Sequence, residues 1–185
     1  MSKKEKLTTS GSELKIKGLL VEDGVRVTEK ESADELSSRG YGVVEGKELL
    51  LTFYEALYLL DKQMLEAEDV QGEKVNFQSL VELYEGVNEN AWAGYLVYRD
   101  LRSRGYVVRE GFGSRVDFRV YERGDYSKAT AKYLIISVQE GKPTSLEDLT
   151  SSLTESLSLK KELVLAVINR RGETVYYSVS ELNLK

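Results

Sequence analysis

Apolar positions along this chain change their period near its middle, and the change predicts two differently built halves. In the first half, short extended stretches alternate with helical ones. Leu14 to Val21 and Gly24 to Thr28 have the texture of strands, and Ser32 is placed to cap a helix that stops near Gly40. The extended pattern resumes after Tyr41. Glu48 to Leu51 leads into Thr52, an N-cap for FYEALYLLDK, with Glu55 three residues on completing a capping box. Asn76 can cap FQSLVELYEGV, and a further helix is expected from about Glu89 to Arg104, ending at Gly105.

The second half is richer in strands: YVVRE, VDFRVYE, KYLIISV, LVLAVI and TVYYSV follow one another with a single helical interruption. Val116, Phe118 and Val120 alternate with Asp117, Arg119 and Tyr121, as a half-buried strand requires. Leu134 to Val138 and Leu163 to Ile168 are continuous apolar runs, typical of strands covered on both faces. Between them, Thr144 and Ser145 open a helix whose Leu146, Leu149, Leu153 and Leu157 form a stripe. These patterns predict an α/β (α+β) chain with a mixed sheet. A polar tail over residues 1–12, expected to be disordered, precedes a first domain over 13–89 and a second over 90–185.

Composition narrows the chemistry. The chain has 185 residues, of which 41% are hydrophobic, enough apolar material for a real core. It contains no His and no Cys, so disulfides, thiol nucleophiles, imidazole acid/base catalysis and His or thiolate metal sites are excluded. No run approaches the roughly 20 apolar residues that span a bilayer, and the start lacks the apolar core of a signal peptide, so a cytoplasmic protein is expected. The formal net charge of −5 argues against a generic polycationic coat for nucleic acid. That charge is uneven, however: residues 1–90 carry 11 basic and 19 acidic side chains, and residues 91–185 carry 15 and 12. Between Arg99 and Lys132 nine basic residues face five acidic ones. That stretch is either a phosphate-facing surface or a solvated face with interspersed ion pairs.

The segments LSSRGYGVVEG, YEALYLL, YLVYRDLRSRGYVV, DFRVYERG and VYY occur together and in order. Together they resemble the archaeal tRNA-splicing endonuclease family. The resemblance implies a small N-terminal α/β domain joined to a C-terminal domain with a restriction-endonuclease-like fold and a mixed β-sheet. It also implies an activity: excision of introns from precursor tRNA at a bulge-helix-bulge, without metal or other cofactor. The ribose 2′-OH attacks the adjacent phosphate, leaving a 2′,3′-cyclic phosphate and a 5′-OH. Such chemistry needs a base for the 2′-OH, an acid for the departing 5′ oxygen and a cation beside the phosphate. The family supplies Tyr, His and Lys for these roles.

Carried over by position, that triad is broken here. The Tyr position is occupied by Ser114, the His position by Thr130, and Lys161 alone is retained, with Lys160 beside it. Lys161 reads equally as an RNA contact or as an ordinary lysine at a strand entrance. Losing both acid and base should leave negligible autonomous cleavage, since each contributes on the order of a hundredfold to ten-thousandfold. The resemblance therefore implies the structural, non-catalytic subunit of a two-plus-two heterotetramer, with a catalytic endonuclease subunit and precursor tRNA as partners. RNA-contact candidates are Arg99, Arg102, Arg115, Arg119, Lys160 and Lys161.

Family subunits pair through their C-terminal strands, which points to Val175, Tyr177 and Val179 as interface residues. Dimers of the family are joined by an acidic loop that enters a basic pocket of the opposing dimer. Here that loop reads Asn169-Arg170-Arg171-Gly172-Glu173 and keeps only Glu173. Two other readings stand beside this one: an autonomous nuclease whose base is displaced to Tyr121 or Tyr126, and a free-standing RNA-binding protein. A metal nuclease built on Asp117 and Glu140-Gly141-Lys142 is weaker, because the latter residues read as a turn before Pro143.

Overall fold

A computed structural model describes residues 15–111, 115–122 and 130–182. The predicted tail and Ser114, Arg123 and Tyr126 lie outside these residues.

Two mixed sheets organise the chain. The first contains β1 (Ile16–Val21), β2 (Gly24–Val27), β3 (Val43–Glu45), β4 (Glu48–Leu51), β5 (Leu65–Glu68) and β6 (Lys74–Val75), in the order β3-β4-β2-β1-β5-β6. Its one parallel pairing joins β1 to β5, and α1 (Lys30–Ser38) and α2 (Phe53–Asp61) fall between its strands in sequence. Next come α3 (Phe77–Glu85) and α4 (Ala91–Ser103). The second sheet contains β7 (Val107–Glu110), β8 (Phe118–Tyr121), β9 (Tyr133–Gln139), β10 (Glu162–Ile168) and β11 (Thr174–Val179), in the order β11-β10-β9-β8-β7. β9 and β10 run parallel, joined by the crossover helix α5 (Leu146–Ser158).

Helices α2 and α4 sit back to back between the sheets, and one hydrophobic core runs through both. That position explains their composition. α4 buries Ala91, Ala93, Gly94, Tyr95, Leu96, Val97, Tyr98 and Leu101, so it is apolar around most of its circumference. Gly94 is required there by contact: a Cβ would stand 2.5 Å from the Tyr54 hydroxyl. Tyr54 in turn lies edge-on to Phe118 of the second sheet, with ring centroids 5.1 Å apart.

Both capping predictions at Thr52 and Asn76 hold, each with reciprocal bonds to the third helical residue. Ser32 does not cap α1. Glu29 occupies the N-cap, and the Ser32 hydroxyl, already one turn inside, donates to the Glu29 carboxylate. The leucine stripe of α5 is also corrected. Leu149 and Leu153 pack on the cluster of Val116, Leu134 and Leu163, while Leu146 and Leu157 are exposed. Buried Ser152 and Ser156 complete the packed face, because small side chains let the helix lie close to the sheet.

Candidate functional site

Of the three carried-over positions, Thr130 and Lys161 are brought together. Parallel pairing sets Glu162 opposite Tyr133, which places the entrances of β9 and β10 side by side. There the Lys161 ammonium donates to the carbonyl of Ala131, the residue after exposed Thr130. The main chain repeats this tie, Glu162 N–H donating to Lys132 O at 3.0 Å. Lys160 precedes it with φ 55°, closing α5 in the left-handed conformation that a helix C-terminus usually gives to glycine. Nearby, Glu122 accepts from Lys132 Nζ at 2.6 Å and from the Tyr133 hydroxyl at 3.4 Å. The Glu122 contact with Lys132 lowers the carboxyl pKa below its ordinary value.

The arginines of the 99–132 stretch are dispersed. Arg99 lies against the Tyr95 ring, 5.7 Å from its centroid. Arg102 is built into the seam between the halves: its guanidinium stacks 3.8 Å over the Tyr41 ring and donates to Arg39 O and Tyr106 O. Arg104 grips Asp100 through two bonds of 2.8 and 3.2 Å. Arg119 Nε donates to Glu110 O at 2.8 Å, and Arg115 is exposed at the approach to β8. Much of the basic stretch is therefore occupied in holding the protein together. Asp117 takes the Ser137 N–H at 2.6 Å, and burial pushes its carboxyl up. Glu140, Gly141 and Lys142 form the expected turn after β9.

Glu55 was legible only as a capping residue, and its role is larger. Its side chain is buried, with Oε2 accepting from Thr52 N and from Gly42 N, each at 3.0 Å. Its Oε1 accepts from Arg109 Nη1 at 3.1 Å, in an ion pair whose side chains are 2% and 13% exposed. Burial raises the carboxyl pKa against the opposing pull of Arg109 and of the Thr52 and Gly42 amides. Above this pair lies a cleft of about 380 Å³ between the sheets, lined by Ser37, Gly42, Val43, Val44, Arg109, Arg119 and Tyr121.

The interface candidates share the outer face of the second sheet. Val175, Tyr177 and Val179 stand opposite Val167, Leu165 and Leu163 of β10, which in turn face Val138, Ile136 and Leu134 of β9. α5 covers only one end of this apolar face: Val179 packs beneath it, while Val175 and Tyr177 are 49% and 55% exposed. β11 is also an edge strand, with no strand on its outer side among the described residues. In the turn before β11, Glu173 is folded back, accepting from Asn169 Nδ2 at 2.7 Å, while Arg170 and Arg171 occupy the exposed tip.

Among the described residues, no helix is long and apolar enough to cross a membrane. The family model for the catalytic C-terminal domain of tRNA intron endonucleases matches residues 91–177, and that for their N-terminal domain matches residues 16–81. A tRNA-splicing endonuclease of Methanococcus vannielii is 33% identical over 165 residues, covering 89% of this chain and 93% of the relative. That of Pyrococcus furiosus is 36% identical over 142 residues, 77% and 81% of the two chains. That of Methanopyrus kandleri is 35% identical over 135 residues, 73% and 75% of the two. With both domain models matched in order across the two sheets, this chain belongs to the tRNA intron endonuclease family.

Proposed function

We propose that this chain is the structural, catalytically degenerate subunit of a heterotetrameric tRNA-splicing endonuclease, a cytoplasmic protein that positions catalytic partners at the bulge-helix-bulge of precursor tRNA. The observation that carries this reading is the composition of the triad positions. A chain without histidine has no imidazole to protonate the departing 5′ oxygen, and Ser114 has no phenol to take up the 2′-OH proton. The retained cation, Lys161, gives its ammonium to Ala131 O, which supports a structural use.

Assembly with a different chain is supported by charge. The cleft carries Arg119 beside the Glu55-paired Arg109, and the turn that would enter it from a second copy carries Arg170 and Arg171. Like charges brought together on desolvation cost several kcal/mol, on the order of what separates a partner from a non-partner. A partner whose own turn is acidic fits the cleft where this chain does not. The half-covered apolar face of β9–β11 supplies the second surface, through which the subunit would pair side by side with its neighbour. On this reading residues 13–89 and 90–185 act as two domains with the cleft between them, and the exposed Arg115 and Lys160 are the RNA contacts left open to solvent.

The test is cleavage of a labelled bulge-helix-bulge RNA in EDTA by this chain alone, by a catalytic subunit of the family alone, and by their mixture. Cleavage that requires the mixture is expected. Cleavage by this chain alone would overturn the reading and return attention to Tyr121, Tyr126 and Lys161.

A further inference from the structure

We propose that Glu55 is the positioning residue of the inter-sheet cleft: one buried carboxylate holds both of its walls. Gly42 belongs to the wall supplied by the first sheet, and Arg109 to the wall supplied by the second. Both are bound to the same side chain, Gly42 through its amide and Arg109 through its guanidinium. A capping glutamate needs only the bond to its own N-cap amide and has no reason to be buried. Glu55 makes that bond and adds two more, one of them to a residue 54 positions away in sequence.

The arrangement is well suited to fixing a shape. Charge-assisted bonds are the stronger kind, and a carboxylate in a water-excluded site keeps them only while its donors stay in place. Displacing either wall leaves a buried charge short of a partner, so the two walls move together or not at all. The neighbouring contact adds a second brace, since Arg102 on α4 covers the ring of Tyr41, the residue before Gly42. The consequence for assembly rests on the reading given under Proposed function: a cleft held open in advance receives the partner's turn without first being ordered.

The experiment uses the full chain, whose lack of cysteine allows two to be introduced cleanly. Spin labels at Val44→Cys and Tyr121→Cys report the width of the cleft. With Glu55 intact a single narrow distance distribution is expected, and Glu55→Gln, close in shape but uncharged, should broaden it at least twofold. An unchanged distribution would overturn the proposal. Should that variant not fold, hydrogen exchange on the unaltered chain decides: Gly42 and Thr52 amides should be protected together, and fast exchange at Gly42 would refute the shared clasp. A second arm adds the catalytic subunit and bulged RNA. There Glu55→Gln should raise the half-saturating concentration of this chain roughly tenfold with the plateau rate unchanged, as loss of pre-organisation in binding requires. Broadening without that rise would retain Glu55 as the clasp and remove the cleft as the partner's site.

Discussion

The seam between the two sheets and the outer face of the second sheet are both apolar, yet they are finished differently. In the seam the rings of Tyr54, Tyr98 and Phe118 pack against one another, and both carboxylate oxygens of buried Glu55 are bonded. On the outer face α5 stops short, leaving Val175 and Tyr177 in solvent beside an open strand edge. The seam fixes the fold of the chain, and the outer face is the surface that the proposed function gives to a neighbouring subunit.

Substitutions at the two places should accordingly separate folding from association. Glu55→Ala removes the acceptor of a buried guanidinium and of two amides, and a loss of about 3–5 kcal/mol in urea unfolding is expected. Tyr177→Ser, at an exposed position, should change stability by no more than about 0.5 kcal/mol while abolishing association in sedimentation. Equal stability losses at the two sites would erase the distinction. Within the seam, Gly94→Ala drives a methyl into the Tyr54 hydroxyl and should cost about 1–3 kcal/mol by thermal unfolding, with association intact.

How far the sequence exposes this difference depends on the range of the forces involved. The capping boxes at Thr52 and Asn76 are local and were readable from a few adjacent residues. So were the strands β7 to β11, but the continuous apolar runs of β9 and β10 predicted cover on both faces, and α5 covers their outer face at one end only. The Glu55–Arg109 pair was not readable, because it joins residues far apart in sequence and one of them already had a local explanation. The register of α5 was lost for a related reason: leucine spacing alone cannot say that serines face the sheet. Charge counting set Arg102 among the phosphate contacts without seeing the ring of Tyr41 beneath its guanidinium. Lys160 illustrates the same limit. Its φ of 55° is invisible in sequence, and Lys160→Gly, which relieves a left-handed cost of about 1–2 kcal/mol against a smaller gain of unfolded-chain entropy, should raise stability in thermal unfolding while weakening RNA binding by the assembled enzyme.

The smallest effect expected is also the one that most sharply divides the two regions. Burial raises the carboxyl pKa of both Glu55 and Asp117, so the folded chain holds their protons to a higher pH than the unfolded chain does. Between the ordinary carboxylate range and those raised values the folded state binds more protons, and its stability therefore falls as pH rises through the interval and levels off above it. The acids shifted the other way, Glu66 and Glu122, are fully exposed and act only on the acid side, where their contacts with Lys15 and Lys132 are lost. The outer face presents the apolar side chains of Leu165, Val167, Val175 and Tyr177, so association through that patch should be level over the same interval. Thermal unfolding and sedimentation at matched ionic strength from about pH 5 to pH 8 would compare them. Asp117→Asn should flatten the stability curve and leave the association curve where it was; a shift in both would mean that the seam and the outer face are one coupled surface after all.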